Sequence, residues 1–121
     1  MKKTILIVED EKSLSEAYKK ILEKEKFKVV LACNGREALD CLDGVQPDVI
    51  LLDLRMPVMN GLEFLKYYQA PKKNPPAIII FSNMDNQKEI DQAYSLGASR
   101  YILKAWASPK ELVKVVRESI I

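Results

Sequence analysis

The segment DVILLD, residues 48–53, passes through four apolar residues between two acids. A short run rich in branched aliphatic side chains between polar segments reads as a strand buried on both faces. Three other runs repeat the pattern: TILIV (4–8) leads into Glu9 and Asp10, AIIIF (77–81) into Ser82, and RYIL (100–103) into Lys104. In an open α/β sheet, ligands bind just beyond the carboxyl ends of the strands. Glu9, Asp10, Asp53, Ser82 and Lys104 are therefore expected to meet at one rim of one sheet.

Between the strands, the helix starts are marked. Asn34 with Glu37, Asn60 with Glu63, Asn86 with Glu89 and Ser108 with Glu111 each set a capping residue three places before a glutamate, the capping box or its Asn variant. Pro109 takes the first helical position of the last of these, where its missing N–H costs nothing. Leu14, Ala17, Tyr18, Ile21 and Leu22 form one apolar face of the first helix, and Ile90, Ala93 and Tyr94 do the same in the fourth. Gly97 suits the left-handed position that ends a helix. The order is then βαβαβαβαβα, with strands near 4–8, 28–32, 48–53, 77–82 and 100–103.

Such alternation predicts a parallel sheet with right-handed crossovers and helices on both faces. The second strand, KVVLA, ends on no catalytic candidate, running instead into Cys33 and Asn34, which places it at an edge. The order 2-1-3-4-5 then gathers the ends of the other four, with the switch point between strands 1 and 3. The expected class is α/β, a doubly wound (βα)5 flavodoxin-like fold forming one domain over residues 1–121.

Bulk composition narrows the function. A chain of 121 residues is the size of one domain, and no apolar run approaches the roughly 18 residues of a membrane helix. The start, MKKTILIVEDE, has too short an apolar run for a secretory signal, so a soluble protein in the cytoplasm is expected. Nineteen basic and seventeen acidic residues are interspersed for a net charge of +2, which gives no basic stripe for direct nucleic-acid binding. Histidine is absent from the chain, which removes histidine triads, histidine metal sites and an internal phosphohistidine. Cys33 and Cys41 have no metal-like spacing and read as free, partly buried thiols.

Glu9, Asp10 and Asp53 would bring three carboxylates into one crevice. A hard divalent cation relieves their repulsion while keeping much of its water, and Mg²⁺ fits best. Lys104 adds a positive charge and Ser82 a donor. An in-line nucleophile, a metal and cationic or hydroxyl donors are the parts that phosphoryl transfer requires, and aspartate can serve as the nucleophile. Taken singly, Glu9 and Asp10 could simply favour a helix N-terminus, Ser82 a turn and Lys104 a solvated strand end; their coincidence at one rim is what argues for a site.

VED at 8–10, DVILLDLRMPVMNG at 48–61, FS at 81–82 and YILK at 101–104 together resemble the receiver domain of bacterial two-component response regulators, and the resemblance covers essentially the whole chain. It implies that Asp53 accepts a phosphoryl group from a phosphohistidine on a sensor histidine kinase or histidine phosphotransfer protein. It also implies a Mg²⁺ site with Asp10 as a direct ligand, Glu9 acting mainly through water, Asp53 as a second ligand and the main-chain carbonyl of Arg55 as a third. Ser82 corresponds to the residue that bonds the phosphoryl oxygen after transfer, Lys104 to the lysine that pairs with it, and Tyr101 to the aromatic switch that turns inward. The face altered would be that of the fourth helix, fifth strand and fifth helix, controlling an output partner. On this resemblance the chain is a signalling switch that takes part in its own phosphorylation and hydrolysis rather than an enzyme. A phosphorylation-linked homodimer through the fourth and fifth helices is compatible with it. So is either a free-standing receiver or one cut from a longer regulator, since the sequence stops at SII.

The departures are specific. Most of the family has proline after the lysine, often behind a cis peptide, where this chain has Ala105; a cis bond there would cost about 3–4 kcal/mol, so the alternatives are a strained loop or a trans one. After the hydroxyl residue the family usually has a small side chain, where this chain has Asn83, which would narrow the site or add a hydrogen bond. Arg55 and Met84 correspond to variable positions flanking the site, where the family tunes how fast water removes the phosphate. A bulky Met84 could obstruct that water, but the sequence does not fix the sign of its effect. Two other functions fit parts of the pattern: a phosphorylation-independent docking module, and a hydrolase of the haloacid dehalogenase type. The latter needs an aspartate two residues after the nucleophile, where Arg55 stands. Elsewhere, Trp106 is expected to pack against the last helix, one of Tyr67 and Tyr68 to pack and the other to face outward, and Gly61 to serve loop geometry.

Overall fold

A computed structural model describes residues 2–83 and 86–120. Five parallel strands, β1 (Thr4–Val8), β2 (Lys28–Ala32), β3 (Val49–Leu52), β4 (Ala77–Ser82) and β5 (Arg100–Leu103), form one sheet in the order β2-β1-β3-β4-β5. Five helices connect and follow them: α1 (Lys12–Lys24), α2 (Gly35–Cys41), α3 (Gly61–Tyr67), α4 (Gln87–Ser95) and α5 (Pro109–Ile120). The doubly wound, flavodoxin-like order expected from the strand ends is the one observed. No helix among the described residues is long and apolar enough to cross a membrane.

Because strand side chains alternate, the sheet divides its apolar residues between two cores. Leu6, Val8, Ile50, Leu52, Ile78 and Ile80 face α2, α3 and α4 through Ala38, Phe64, Leu65 and Ala93. Ile5, Ile7, Val49, Leu51, Ile79 and Phe81 face α1 and α5 through Leu22, Leu112, Val115 and Val116. Every residue of β3 is buried, which is why DVILL shows no polar alternation. The buried central strands fix where each terminal side chain emerges.

The caps form as their spacing predicts. Glu37, Glu63 and Glu89 N–H groups donate to Asn34, Asn60 and Asn86, and Asn60 with Glu63 closes a reciprocal box. Glu111 N–H donates to Ser108 Oγ at 3.2 Å. Gly97 follows α4 with φ +115°, a conformation that suits glycine.

Several expectations are corrected. In α1, Ala17 is exposed and Ser15 is buried instead; the Ser15 hydroxyl donates to the Lys12 carbonyl at 3.1 Å, so this small polar residue enters the interior with its hydrogen bond satisfied. In α4, Ala93 is buried but Tyr94 is exposed. Trp106 is 83% exposed rather than packed on α5; the next residue, Ala107, is the one that packs against that core. Cys33 is exposed and Cys41 half-buried, both free. The Cys33 thiol bonds Glu37, which raises its pKa. Tyr68 stacks on Phe64 at 5.4 Å between ring centroids while Tyr67 faces outward, the division expected of that pair.

Candidate functional site

Each central strand delivers one part of the site. Glu9 follows β1 and is buried, Asp10 is the exposed next residue, Asp53 follows β3 and is buried, and Ser82 closes β4 at 1% exposure. Main-chain bonds continue the sheet under the acids: Glu9 N–H donates to the Ala32 carbonyl and Asp53 N–H to the Val8 carbonyl, both at 3.0 Å. The carboxylates of Glu9, Asp10 and Asp53 present oxygen atoms all within 4.8 Å of one another.

Lys104 opens a single 3₁₀ turn, Lys104–Trp106, just after β5. Its Nζ lies 3.0 Å from Asp53 Oδ2 and also donates to Glu9 Oε1. The other Asp53 oxygen, Oδ1, accepts the Arg55 N–H at 3.2 Å, and Glu9 Oε2 accepts the Glu11 N–H at 3.1 Å. Burial pushes the Glu9 carboxyl above its ordinary value, more than Lys104 draws it down. Burial works against the Lys104 ammonium, but the bonds to Glu9 and Asp53 outweigh it and hold its pKa above that of an ordinary lysine. Three carboxylates against one ammonium leave negative charge uncompensated. An all-oxygen set of this kind can hold a hard cation.

Arg55 leaves the β3–α3 loop and pairs with Glu89 of α4 at 3.4 Å. Tyr101 is half-buried on the core beneath α4. No cis peptide occurs among the described residues, so of the two alternatives at Lys104–Ala105 the trans loop is found. Asn83 adds the hydrogen bond weighed for it: Oδ1 accepts the Ala105 N–H at 3.0 Å. Met84 lies outside the described residues.

Gly61 has a closer relation to the site than loop geometry alone. A Cβ there would stand 2.4 Å from the Asp53 carbonyl oxygen and 2.9 Å from Leu54 Cα, so the first residue of α3 packs directly on the backbone that carries Asp53. Asn60-Gly61 marks a helix start in the sequence, but no local pattern says which strand that start touches. The Arg55–Glu89 and Asn83–Ala105 contacts were equally hidden. The only hint of the latter was that both residues depart from the family pattern.

The family model described as the response regulator receiver domain matches residues 5–117. The chain belongs to this family. As a receiver domain it is 38% identical to the protein-glutamate methylesterase/protein-glutamine glutaminase of Treponema pallidum, over 97% of this chain and 30% of that protein. It is 33% identical to the DNA-binding response regulator MtrA of Mycobacterium tuberculosis, over 97% of this chain and 50% of the relative. The receiver thus spans half or less of these two curated relatives. Among solved structures it superimposes on the CheY-like response regulator receiver domain protein from Methanospirillum hungatei with a TM-score of 0.89 and 26% identity, covering 99% of this chain and 94% of the other. Membership removes the dehalogenase-type reading, which Arg55 already disfavoured.

Proposed function

We propose that this receiver is a phosphoacceptor switch in which Asp53 takes a phosphoryl group from a phosphohistidine on a sensor histidine kinase or histidine phosphotransfer protein. The observation that carries the reading is the placement of Lys104 Nζ on Asp53 Oδ2 at 3.0 Å beside the Glu9 and Asp10 carboxylates. A buried, aimed carboxylate next to a retained ammonium is what transfer to aspartate requires.

An Asp53 carboxylate oxygen attacks phosphorus, the P–N bond to the partner imidazole breaks, and the imidazole leaves with that electron pair. Lys104 stays protonated and moves its charge from the bare carboxylate to the phosphoryl oxygens. Ser82, at the end of the adjacent strand, donates its hydroxyl to the same group. Hydrolysis later adds water at phosphorus and returns the Asp53 carboxylate and inorganic phosphate. Glu9, Asp10, Asp53 and the Arg55 carbonyl would hold Mg²⁺, which supplies positive charge to the reacting oxygens. The donor chemistry fits, since the clustered side-chain ligands are hard oxygens and their charge exceeds what Lys104 neutralises.

The switch reading follows from the same residues. As Ser82 is drawn toward the phosphoryl group, Tyr101 turns inward, and the face built from α4, β5 and α5 changes for an output partner, with a homodimer through that face as one form of output. On this reading residues 1–121 act as one receiver unit in the cytoplasm, without direct nucleic-acid contact. The test is intact-mass spectrometry after incubation with acetyl phosphate and Mg²⁺. One phosphoryl mass in the wild type, absent without Mg²⁺ and absent in Asp53→Asn, is expected. A wild type that gains no Asp53-dependent mass from either acetyl phosphate or phosphorylated histidine kinases overturns the reading in favour of a docking module that acts without phosphorylation.

A further inference from the structure

The β4–β5 ladder ends with Ser82 opposite Leu103, so Asn83 and Lys104 are the first residues beyond it. There a side chain continues the connection between strands: Asn83 Oδ1 accepts the Ala105 N–H at 3.0 Å. Ala105 is the middle residue of the 3₁₀ turn Lys104–Trp106, which closes through the Ala107 N–H to the Lys104 carbonyl at 3.3 Å. This turn sets the direction in which the Lys104 stem leaves the backbone. From it the ammonium reaches both Glu9 and Asp53. The rung needs both partners, because proline at 105 would have no N–H to donate and alanine at 83 no acceptor.

We propose that Asn83 is a positioning residue for phosphoryl transfer, acting through the Ala105 N–H to hold the turn from which Lys104 reaches Asp53. This rests on the reading of Asp53 as the phosphoryl acceptor. The bond joins exposed groups, so its contribution to folding is small and its effect is geometric. Displacing a charged group by about 1 Å can cost up to roughly a hundredfold in rate.

The test compares the wild type, Asn83→Ala, Ala105→Pro and the double variant. By NMR, without any phosphoryl donor, Asn83→Ala is expected to speed hydrogen exchange at the Ala105 amide at least tenfold. It should also shift the Lys104 Nζ resonance toward that of a solvated lysine, a change that general loss of stability would not produce in the folded protein. With acetyl phosphate and Mg²⁺, Asn83→Ala should slow phosphoryl uptake three- to tenfold. In the Ala105→Pro background, where the N–H is gone, the same substitution should change nothing. Unchanged Ala105 exchange, an unmoved Lys104 signal, or equal slowing in both backgrounds overturns the proposal while leaving Asp53 as acceptor intact. Absence of Asp53-dependent uptake in the wild type instead overturns the functional reading and the transfer role with it, leaving the exchange result to establish the bond alone.

Discussion

Lys104 Nζ and Asp53 Oδ2 stand 3.0 Å apart although the two residues lie fifty-one positions apart in the chain, and the same ammonium is shared with Glu9. Their side chains are at most 9% exposed, so the lysine compensates two acids that water solvates poorly. Removing one partner from such a group leaves uncompensated buried charge. Lys104→Ala is therefore expected to lower stability by about 3 kcal/mol at neutral pH, measured by urea unfolding. It should also slow phosphoryl uptake at Asp53 roughly a hundredfold. A variant as stable as the wild type would show that the acids are solvated without the lysine.

Asp10 faces solvent at the edge of the acidic cluster. A cation bound there stabilises the folded chain by mass action. At ten times its dissociation constant Mg²⁺ should add about 1.4 kcal/mol, or roughly 5 °C in Tm. Chelation with EDTA should reverse the gain. Asp10→Asn should abolish the Mg²⁺ response while raising Tm in metal-free buffer, because one repelling charge has gone. An equal Mg²⁺ response in the variant would place the cation elsewhere.

The backbone of Asp53 leaves no room at Gly61. With a Cβ only 2.4 Å from a carbonyl oxygen, Gly61→Ala must push α3 away from β3, at a cost of about 1–3 kcal/mol. Phosphoryl uptake should fall in the fraction that remains folded, since the clash falls on the backbone that carries the acceptor. Calorimetry and mass spectrometry on the same sample would check both effects.

Val58 is held at φ +66° and is 81% exposed. A β-branched residue is strained there and loses little packing when replaced. Val58→Gly should raise stability by about 0.5–1 kcal/mol, seen as a higher urea midpoint at unchanged slope. A lower midpoint would mean that the side chain makes a contact worth more than the strain.

Arg100 Nη1 lies 2.7 Å from Glu118 Oε1, joining β5 to α5, and lowers the Glu118 pKa from its ordinary 4.5. A carboxyl whose pKa is depressed by folding contributes stability above its unfolded pKa and loses it as pH falls through the folded one. Carboxyl NMR titration should find Glu118 below 4.5 in the wild type and back near it in Arg100→Gln. The change in overall stability should be slight, since the pair is on the surface.

Much of this molecule was legible in the chain. DVILL, TILIV and AIIIF announced buried parallel strands because a strand covered on both faces has no polar side to alternate with. The Asn and Ser caps set the helix starts because the glutamate three residues on completes a local bond. The second strand could be placed at the edge because it ends on no reactive group. Periodicity was less reliable where a small residue decided the fit: Ser15, with its hydroxyl satisfied, replaced Ala17 in the core of α1.

By itself, then, the sequence determined the strands, the capped helices, their order and the five reactive residues set at strand ends, since each of these is written in local periodicity or in short spacings. Only the tertiary structure decided that Lys104 bridges Glu9 and Asp53, that Gly61 rests on the Asp53 backbone, and that Asn83 reaches Ala105. The Lys104 and Asn83 contacts join different βα units, and the Gly61 contact joins the strand and helix of one unit across its loop. The geometry of all three depends on how sheet twist and helix packing bring the elements together, which no local pattern encodes.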